Sequence, residues 1–208
     1  MILYLHGFAS GPGSAKAVDL ARRFAAAGKR LEIADLTPGP DGFERSTPTS
    51  MLAIVDRLLA SAPPPHALIG SSLGGWLSAL TAARNPAVER VVLLAPAFGL
   101  FERWTGRIGP AQLAEWRRSG LEVDHHATGT RRRIGYAFIE DAGRLPAHPE
   151  VRVPALVIAG RQDELVPLAD VERWVAKTPS ARLLVLDDGH GLEGSYARIF
   201  EEASAFLG

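Results

Sequence analysis

The sequence predicts an open α/β sheet, mostly parallel, of about six strands with helices on both faces and a small helical cap. Three observations carry this. Short apolar runs recur along the chain, amphipathic stretches separate them, and the 47% apolar and 22% charged content is that of a globular chain with a sizeable core. The runs are continuous rather than alternating, as suits strands covered on both faces. A length of 208 residues fits one domain.

The elements follow in order. Ile2–Leu5 is the first strand. In Ala15–Ala27, Ala17, Leu20, Ala21 and Phe24 recur at helical spacing, with Lys16, Asp19, Arg22 and Arg23 on the other side. Leu31–Ala34 is the second strand. Thr49–Ala62 is the second helix, and Pro48 marks its start. Ala67–Gly70 is a strand, Gly74–Arg84 a helix and Val91–Ala95 a strand. Ala155–Ala159 is the fifth strand. Ala169–Lys177 is a helix stopped by Pro179. Leu183–Leu186 is the last strand and Tyr196–Leu207 the last helix.

The segment from Phe98 to about Glu150 is longer than one crossover helix requires. It holds Phe98, Phe101, Trp104, Trp116, Tyr136 and Phe138 among arginines. Two or three short helices forming a cap are expected here, since long insertions are usually functional or disordered and the aromatics oppose disorder. The blander reading is a crossover helix plus loops whose aromatics pack in the core.

Several classes are excluded or disfavoured. Lys+Arg and Asp+Glu are both 23, so a general nucleic-acid binder is not expected. Arg131–Arg133 read as a solvated basic face. Cysteine is absent, which removes disulfides, thiolate metal sites and a cysteine nucleophile. No run approaches a membrane span, and Met1–Leu5 lacks the features of a leader, so a cytoplasmic protein is expected. Asp124-His125-His126 is the only local metal-like cluster, and no metal is expected. Gly11-x-Gly13 lacks the third glycine of a dinucleotide loop.

Ligands of open α/β sheets bind beyond the carboxyl ends of the strands. The residues after each strand are therefore the candidates. Gly70-Ser71-Ser72-Leu73-Gly74 reads G-x-S-x-G between a strand and a helix. That context calls for a sharp turn that projects the central Ser72 hydroxyl above the sheet, with a helix N-terminus behind it. A serine hydroxyl needs a base. His190, in Asp187-Asp188-Gly189-His190-Gly191, follows the last strand at the same sheet edge. Asp163 follows the fifth strand and can steady the imidazole; Glu164 and Asp187 compete for that role, and Asp187 and Asp188 could equally be solvated turn residues. The first strand ends at Leu5-His6-Gly7-Phe8. There the backbone N–H of Phe8, with that of Leu73, would form an oxyanion hole, and His6 would hold the loop.

At this point the chain resembles the α/β-hydrolase superfamily, in which serine, acid and histidine follow in this order. More narrowly it resembles the small bacterial YqiA-like (YcfP-like) esterases. The likeness rests on Tyr4–Ser10, Gly13–Ala17, Leu68–Gly75, Asn85-Pro86, Ala95–Ala97 with Phe101-Glu102, Gly160–Val166 and Gly189-His190. The resemblance implies an α/β-hydrolase fold that starts at the oxyanion strand. It implies carboxylic-ester hydrolysis, extending to acyl-thioesters, through Ser72, Asp163 and His190, with no cofactor. Trp104–Arg144 departs from the family pattern.

The expected function is thus a serine esterase acting through an acyl-enzyme on a small-molecule acyl ester, as a monomer or homodimer without nucleic-acid or membrane partners. Phe98, Phe101 and Trp104 are the expected substrate contacts. The alternatives are a thioester, lactone or peptide substrate on the same residues, or a binding module that kept the fold.

Overall fold

A computed structural model describes all 208 residues. In chain order the elements are β1 (Ile2–Leu5), α1 (Ala15–Ala26), β2 (Leu31–Ile33), α2 (Gly42–Arg45), α3 (Pro48–Ala60), β3 (His66–Ser71), α4 (Leu73–Arg84) and β4 (Val88–Leu94). There follow α5 (Leu100–Arg107), α6 (Pro110–Ser119), β5 (Leu121–His125), β6 (Thr130–Ile134) and α7 (Ala137–Ala142). The chain closes with β7 (Ala155–Gly160), α8 (Leu168–Ala176), β8 (Ala181–Leu186), a 3-10 turn (Glu193–Ser195) and α9 (Tyr196–Leu207). No helix is long and apolar enough to cross a membrane.

Six strands form one sheet in the order β2-β1-β3-β4-β7-β8, and every pairing in it is parallel. This is the open parallel α/β sheet that the apolar runs predicted. Alternate strand residues feed two cores. Leu3, Leu5, Leu68, Val91, Leu93 and Val157 pack against Met51, Val55, Leu77 and Trp174 of α3, α4 and α8. Tyr4, Ile69, Val92 and Ile158 point the other way, onto Leu20 and Phe24 of α1 and Ile199 of α9. Both faces are dry, so no polar alternation appears in these strands.

Local chemistry fixes the helix starts. Thr47 and Ser50 form a reciprocal capping box at α3, with Pro48 at its first turn. The helix behind the serine turn, α4, is buried along most of its length. It is the central prop of the sheet's carboxyl edge.

Three departures stand out. The fourth strand starts at Val88, earlier than expected, because Val88 is itself buried and pairs with His66. A short helix, α2, precedes α3. The segment after Phe98 is not purely helical: α5, α6 and α7 accompany an antiparallel hairpin of β5 and β6. Leu121, Val123 and His125 alternate inward with Glu122 and Asp124 outward, which is a strand period rather than a helical one.

Arg131 and Arg133 face Asp124 and Glu122 across that hairpin, and Arg133 Nε lies 3.2 Å from the Glu122 carboxylate. The three arginines are hairpin rungs, with Arg132 donating to the Pro40 carbonyl.

Candidate active site

Strand β3 ends in the G-x-S-x-G turn. Ser72 adopts φ 53° and ψ −113°, a left-handed conformation rare for a side-chain-bearing residue. Its N–H donates to the Leu94 carbonyl (2.8 Å), and its own carbonyl accepts from Ala97 (3.0 Å). The strained bend is thus pinned to β4 and the loop after it. The flanking glycines are obligatory. A Cβ on Gly74 would stand 2.0 Å from the Leu5 carbonyl oxygen, and one on Gly70 would stand 2.1 Å from that of Gly74.

The loops after β7 and β8 converge on this turn. His190 Nε2 lies 3.0 Å from Ser72 Oγ, and His190 Nδ1 lies 2.8 Å from Asp163 Oδ2. The other Asp163 oxygen accepts the N–H groups of Leu165 (2.9 Å) and Val166 (2.8 Å). The Asp163 side chain is 1% exposed and that of His190 22%. Burial alone would raise the Asp163 pKa; the hydrogen bonds from His190 and from the Val166 and Leu165 N–H groups outweigh it and hold the carboxyl below its usual range. The competing acids lie elsewhere. Asp187 pairs with Arg161 at 2.8 Å, and Glu164 is exposed.

The backbone N–H groups of Phe8 and Leu73 make no hydrogen bond within the chain; Leu73 opens α4 straight after Ser72, and a Cβ on Gly7, the residue before Phe8, would stand 3.5 Å from Ser72 Cβ. His6 is buried behind them. Its Nδ1 donates to the Gly7 carbonyl (2.9 Å) and its Nε2 accepts from Leu36 N–H (3.3 Å). Burial holds its pKa below the usual value, so the neutral ring that these two bonds need is favoured.

The expected substrate aromatics separate. Phe98 is fully buried and stacked on Trp174 with centroids 4.5 Å apart, so it is a core residue and not a substrate contact. Phe101 packs over Gly143. Trp104 meets the Phe8 ring edge-on at 4.8 Å, in a cluster with Phe138 and Phe43 around Phe8. Two grooves of about 400 Å³ lie around His148, Trp174 and Lys177, one of them also bordered by Phe98, and neither contains Ser72, Asp163 or His190.

The model of the family described as "Uncharacterised protein family (UPF0227)" matches residues 1–208. The chain belongs to this family. The match includes Trp104–Arg144, the stretch that departs from the pattern read in the sequence, and agrees with the resemblance to YqiA-like proteins.

More distantly, this UPF0227 chain is 28% identical to the pimeloyl-[acyl-carrier protein] methyl ester esterase of Xylella fastidiosa (strain M12), over 77% of each chain. Among solved structures, a hydrolase-like protein from Agrobacterium vitis S4 superimposes with a TM-score of 0.84 at 21% identity, covering 100% of this chain and 87% of that one. The mouse alpha/beta hydrolase domain-containing protein 10 gives 0.79 at 23% identity, covering 99% and 88%. These likenesses place the UPF0227 chain in the α/β-hydrolase fold.

Two polar residues near the turn escaped sequence reasoning. Asp188 is a brace and not a solvated turn residue: one oxygen accepts Gly189 N–H (2.8 Å) and the other the Ser195 hydroxyl (2.7 Å), which shapes the His190 loop. The Asp-Gly step after a strand is the signal that would have found it. Lys16, placed by its spacing on the solvent side of α1, is instead 8% exposed and donates to Ser71 Oγ at 2.9 Å.

Proposed function

We propose that this protein is a serine hydrolase that cleaves carboxylic esters through an acyl-enzyme. The observation that supports this most is a single imidazole hydrogen-bonded to Ser72 Oγ (3.0 Å) on one side and to Asp163 (2.8 Å) on the other. In this reading His190 takes the Ser72 proton as Oγ bonds to the ester carbonyl carbon. The Phe8 and Leu73 N–H groups hold the resulting oxyanion. As the tetrahedral species collapses, His190 gives the proton to the leaving alcohol and the acyl group stays on Ser72. His190 then deprotonates a water as it bonds to the acyl carbon, and returns that proton to Ser72 Oγ as the acyl–Oγ bond breaks and the acid leaves. Asp163 keeps Nδ1 protonated and stabilises the transient imidazolium.

The segment from Phe98 to about Glu150 is read as a cap on a single domain, with Trp104 as its contact nearest to Phe8. The name of the Xylella relative, a methyl ester esterase, favours a carboxylic ester as the substrate class.

Labelling by a fluorophosphonate tests the reading directly. A mass shift on the peptide containing Ser72 is expected, together with hydrolysis of a short-chain p-nitrophenyl ester that Ser72→Ala abolishes. Wild-type rates in Ser72→Ala would overturn it.

A further inference from the structure

Hydrogen bonds hold the loop after β1 on either side of the proposed oxyanion donor, but not the donor itself. The Gly7 carbonyl before Phe8 and the Ala9 carbonyl after it each accept a hydrogen bond, whereas neither the N–H nor the carbonyl of Phe8 takes a partner within the chain. Ala9 adds a left-handed φ of 49°, a conformation that persists only where the surroundings impose it. What remains to fix Phe8 is its ring.

Three aromatic rings from three helices pack against that ring. Phe43 of α2 lies 5.5 Å away, Phe138 of α7 5.2 Å and Trp104 of α5 4.8 Å, centroid to centroid. The Trp104 contact is edge-on, with the planes at 88°, a geometry that the ring quadrupoles favour. Phe43 and Phe138 are core residues, both buried. Trp104 is half-buried and is backed in turn by Trp116 (5.7 Å) and Phe138 (5.9 Å). One turn along α5, Arg107 donates to the Glu164 carbonyl at 3.4 Å, next to Asp163. The helix that carries Trp104 therefore touches both the loop of Phe8 and the loop of Asp163. An oxyanion donor has to stand about 2.7–3.1 Å from the place where charge develops, and has to be there before the reaction starts. A displacement of about 1 Å at such a group costs up to about 10²-fold in rate. A donor without a backbone tether meets that tolerance only if its side chain is locked by its neighbours.

We propose that Trp104 is a positioning residue for the oxyanion hole: its edge-on grip on the Phe8 ring fixes the Phe8 N–H where the oxyanion forms. This rests on the proposed serine-hydrolase reading of the site. It gives Trp104 a role other than the substrate contact expected from the sequence. The two roles differ in what they do to kinetics. Loss of a positioned donor weakens the transition state and leaves ground-state binding alone, so kcat falls and KM does not move. Loss of a substrate contact raises KM, and does so more for a longer acyl chain.

The test is kcat and KM for p-nitrophenyl acetate, butyrate and octanoate, with the Ki of a trifluoromethyl ketone, whose hemiketal oxyanion mimics the tetrahedral species. In Trp104→Ala, kcat should fall on the order of 10-fold to 10²-fold at all three acyl lengths, KM should stay within about 2-fold, and Ki should rise by the factor that kcat/KM loses. Trp104→Phe keeps an edge-on contact and should stay within about 3-fold of the wild type. Trp104→Leu retains apolar bulk without a ring and should show the same loss, should Trp104→Ala fail to fold. Phe8→Ala leaves the N–H but removes the ring that is gripped; it should reproduce the loss, and Phe8→Ala combined with Trp104→Ala should lose no more than Phe8→Ala alone. A KM that rises with acyl length at unchanged kcat, losses that multiply in the double variant, or wild-type kinetics in Trp104→Ala would each overturn the proposal while the serine-hydrolase reading stood. A wild type that neither hydrolyses the esters nor labels at Ser72 would overturn that reading, and this proposal with it.

Discussion

The backbone N–H of His126, in the turn between β5 and β6, donates a 2.8 Å hydrogen bond to the carbonyl of Ala9, just after the proposed oxyanion donor Phe8. Ala9 has φ 49°, and Ala127 of the same turn lies against Gly11. The hairpin thus clasps the loop that follows β1. His126→Pro removes the donor and should loosen that loop. The expected result is a fall in kcat on the order of 10-fold to 10²-fold with KM changed far less. Steady-state kinetics on a p-nitrophenyl ester check this, and circular dichroism should be unchanged.

Gly74 tolerates no side chain, because its Cβ would meet the backbone of Leu5 and His6. Neither backbone segment can yield without displacing β1. Gly74→Ala should cost at least about 3 kcal/mol and abolish activity. Gly13→Ala, where nothing lies within 4 Å, is the control and should unfold within about 0.5 kcal/mol of the wild type in urea.

Asp163 carries two consequences. Asp163→Asn should lower kcat on the order of 10⁴-fold while preserving the fold, since the amide favours the wrong imidazole tautomer. The carboxyl pKa is depressed in the folded chain, so its contribution to stability is present above the usual carboxyl value of 3.8 and is lost as pH falls through the folded value. Thermal melts at decreasing pH should therefore show a shallower acid decline in the variant.

His125 is buried against Phe43 with centroids 4.9 Å apart, and its Nε2 has no hydrogen-bond partner. Burial, with Arg132 adding to it, holds its pKa below 6.5. Stability from the neutral ring is full above that value and declines as pH falls through the folded pKa. His125→Phe keeps the edge-on ring contact and removes an orphan nitrogen worth about 1–3 kcal/mol. The variant should be no less stable than the wild type at neutral pH and should lose less on acidification. His6 and His66, also held below 6.5 by burial, leave part of the slope in place.

Most of the sheet was legible because both of its faces are covered. Runs such as Val91–Leu94 and Ala155–Ala159 are apolar throughout, and Gly, Pro or Asp marks their ends. Ser72, Asp163 and His190 were legible for a related reason: each follows a strand that reads clearly, and parallel strands bring their carboxyl ends to one edge. The hairpin was missed because arginines fill β6, and their cross-strand partners Glu122 and Asp124 lie several residues upstream. Phe98 was misread because an aromatic in a presumed cap looks the same whether it faces a ligand or stacks on Trp174. Lys16 could not be found by spacing, since a long side chain can bend from a polar helix face into the protein.

The strand order β2-β1-β3-β4-β7-β8 has a consequence for how the protein comes into being. During synthesis the ribosome releases the strand that bears Ser72 well ahead of the two that bear Asp163 and His190, and β8 joins at the rim of an already assembled slab. A nascent polypeptide would hold Ser72 apart from His190 until the last strand docks, and on the proposed reading fraying at that rim would silence the site while the rest stayed folded.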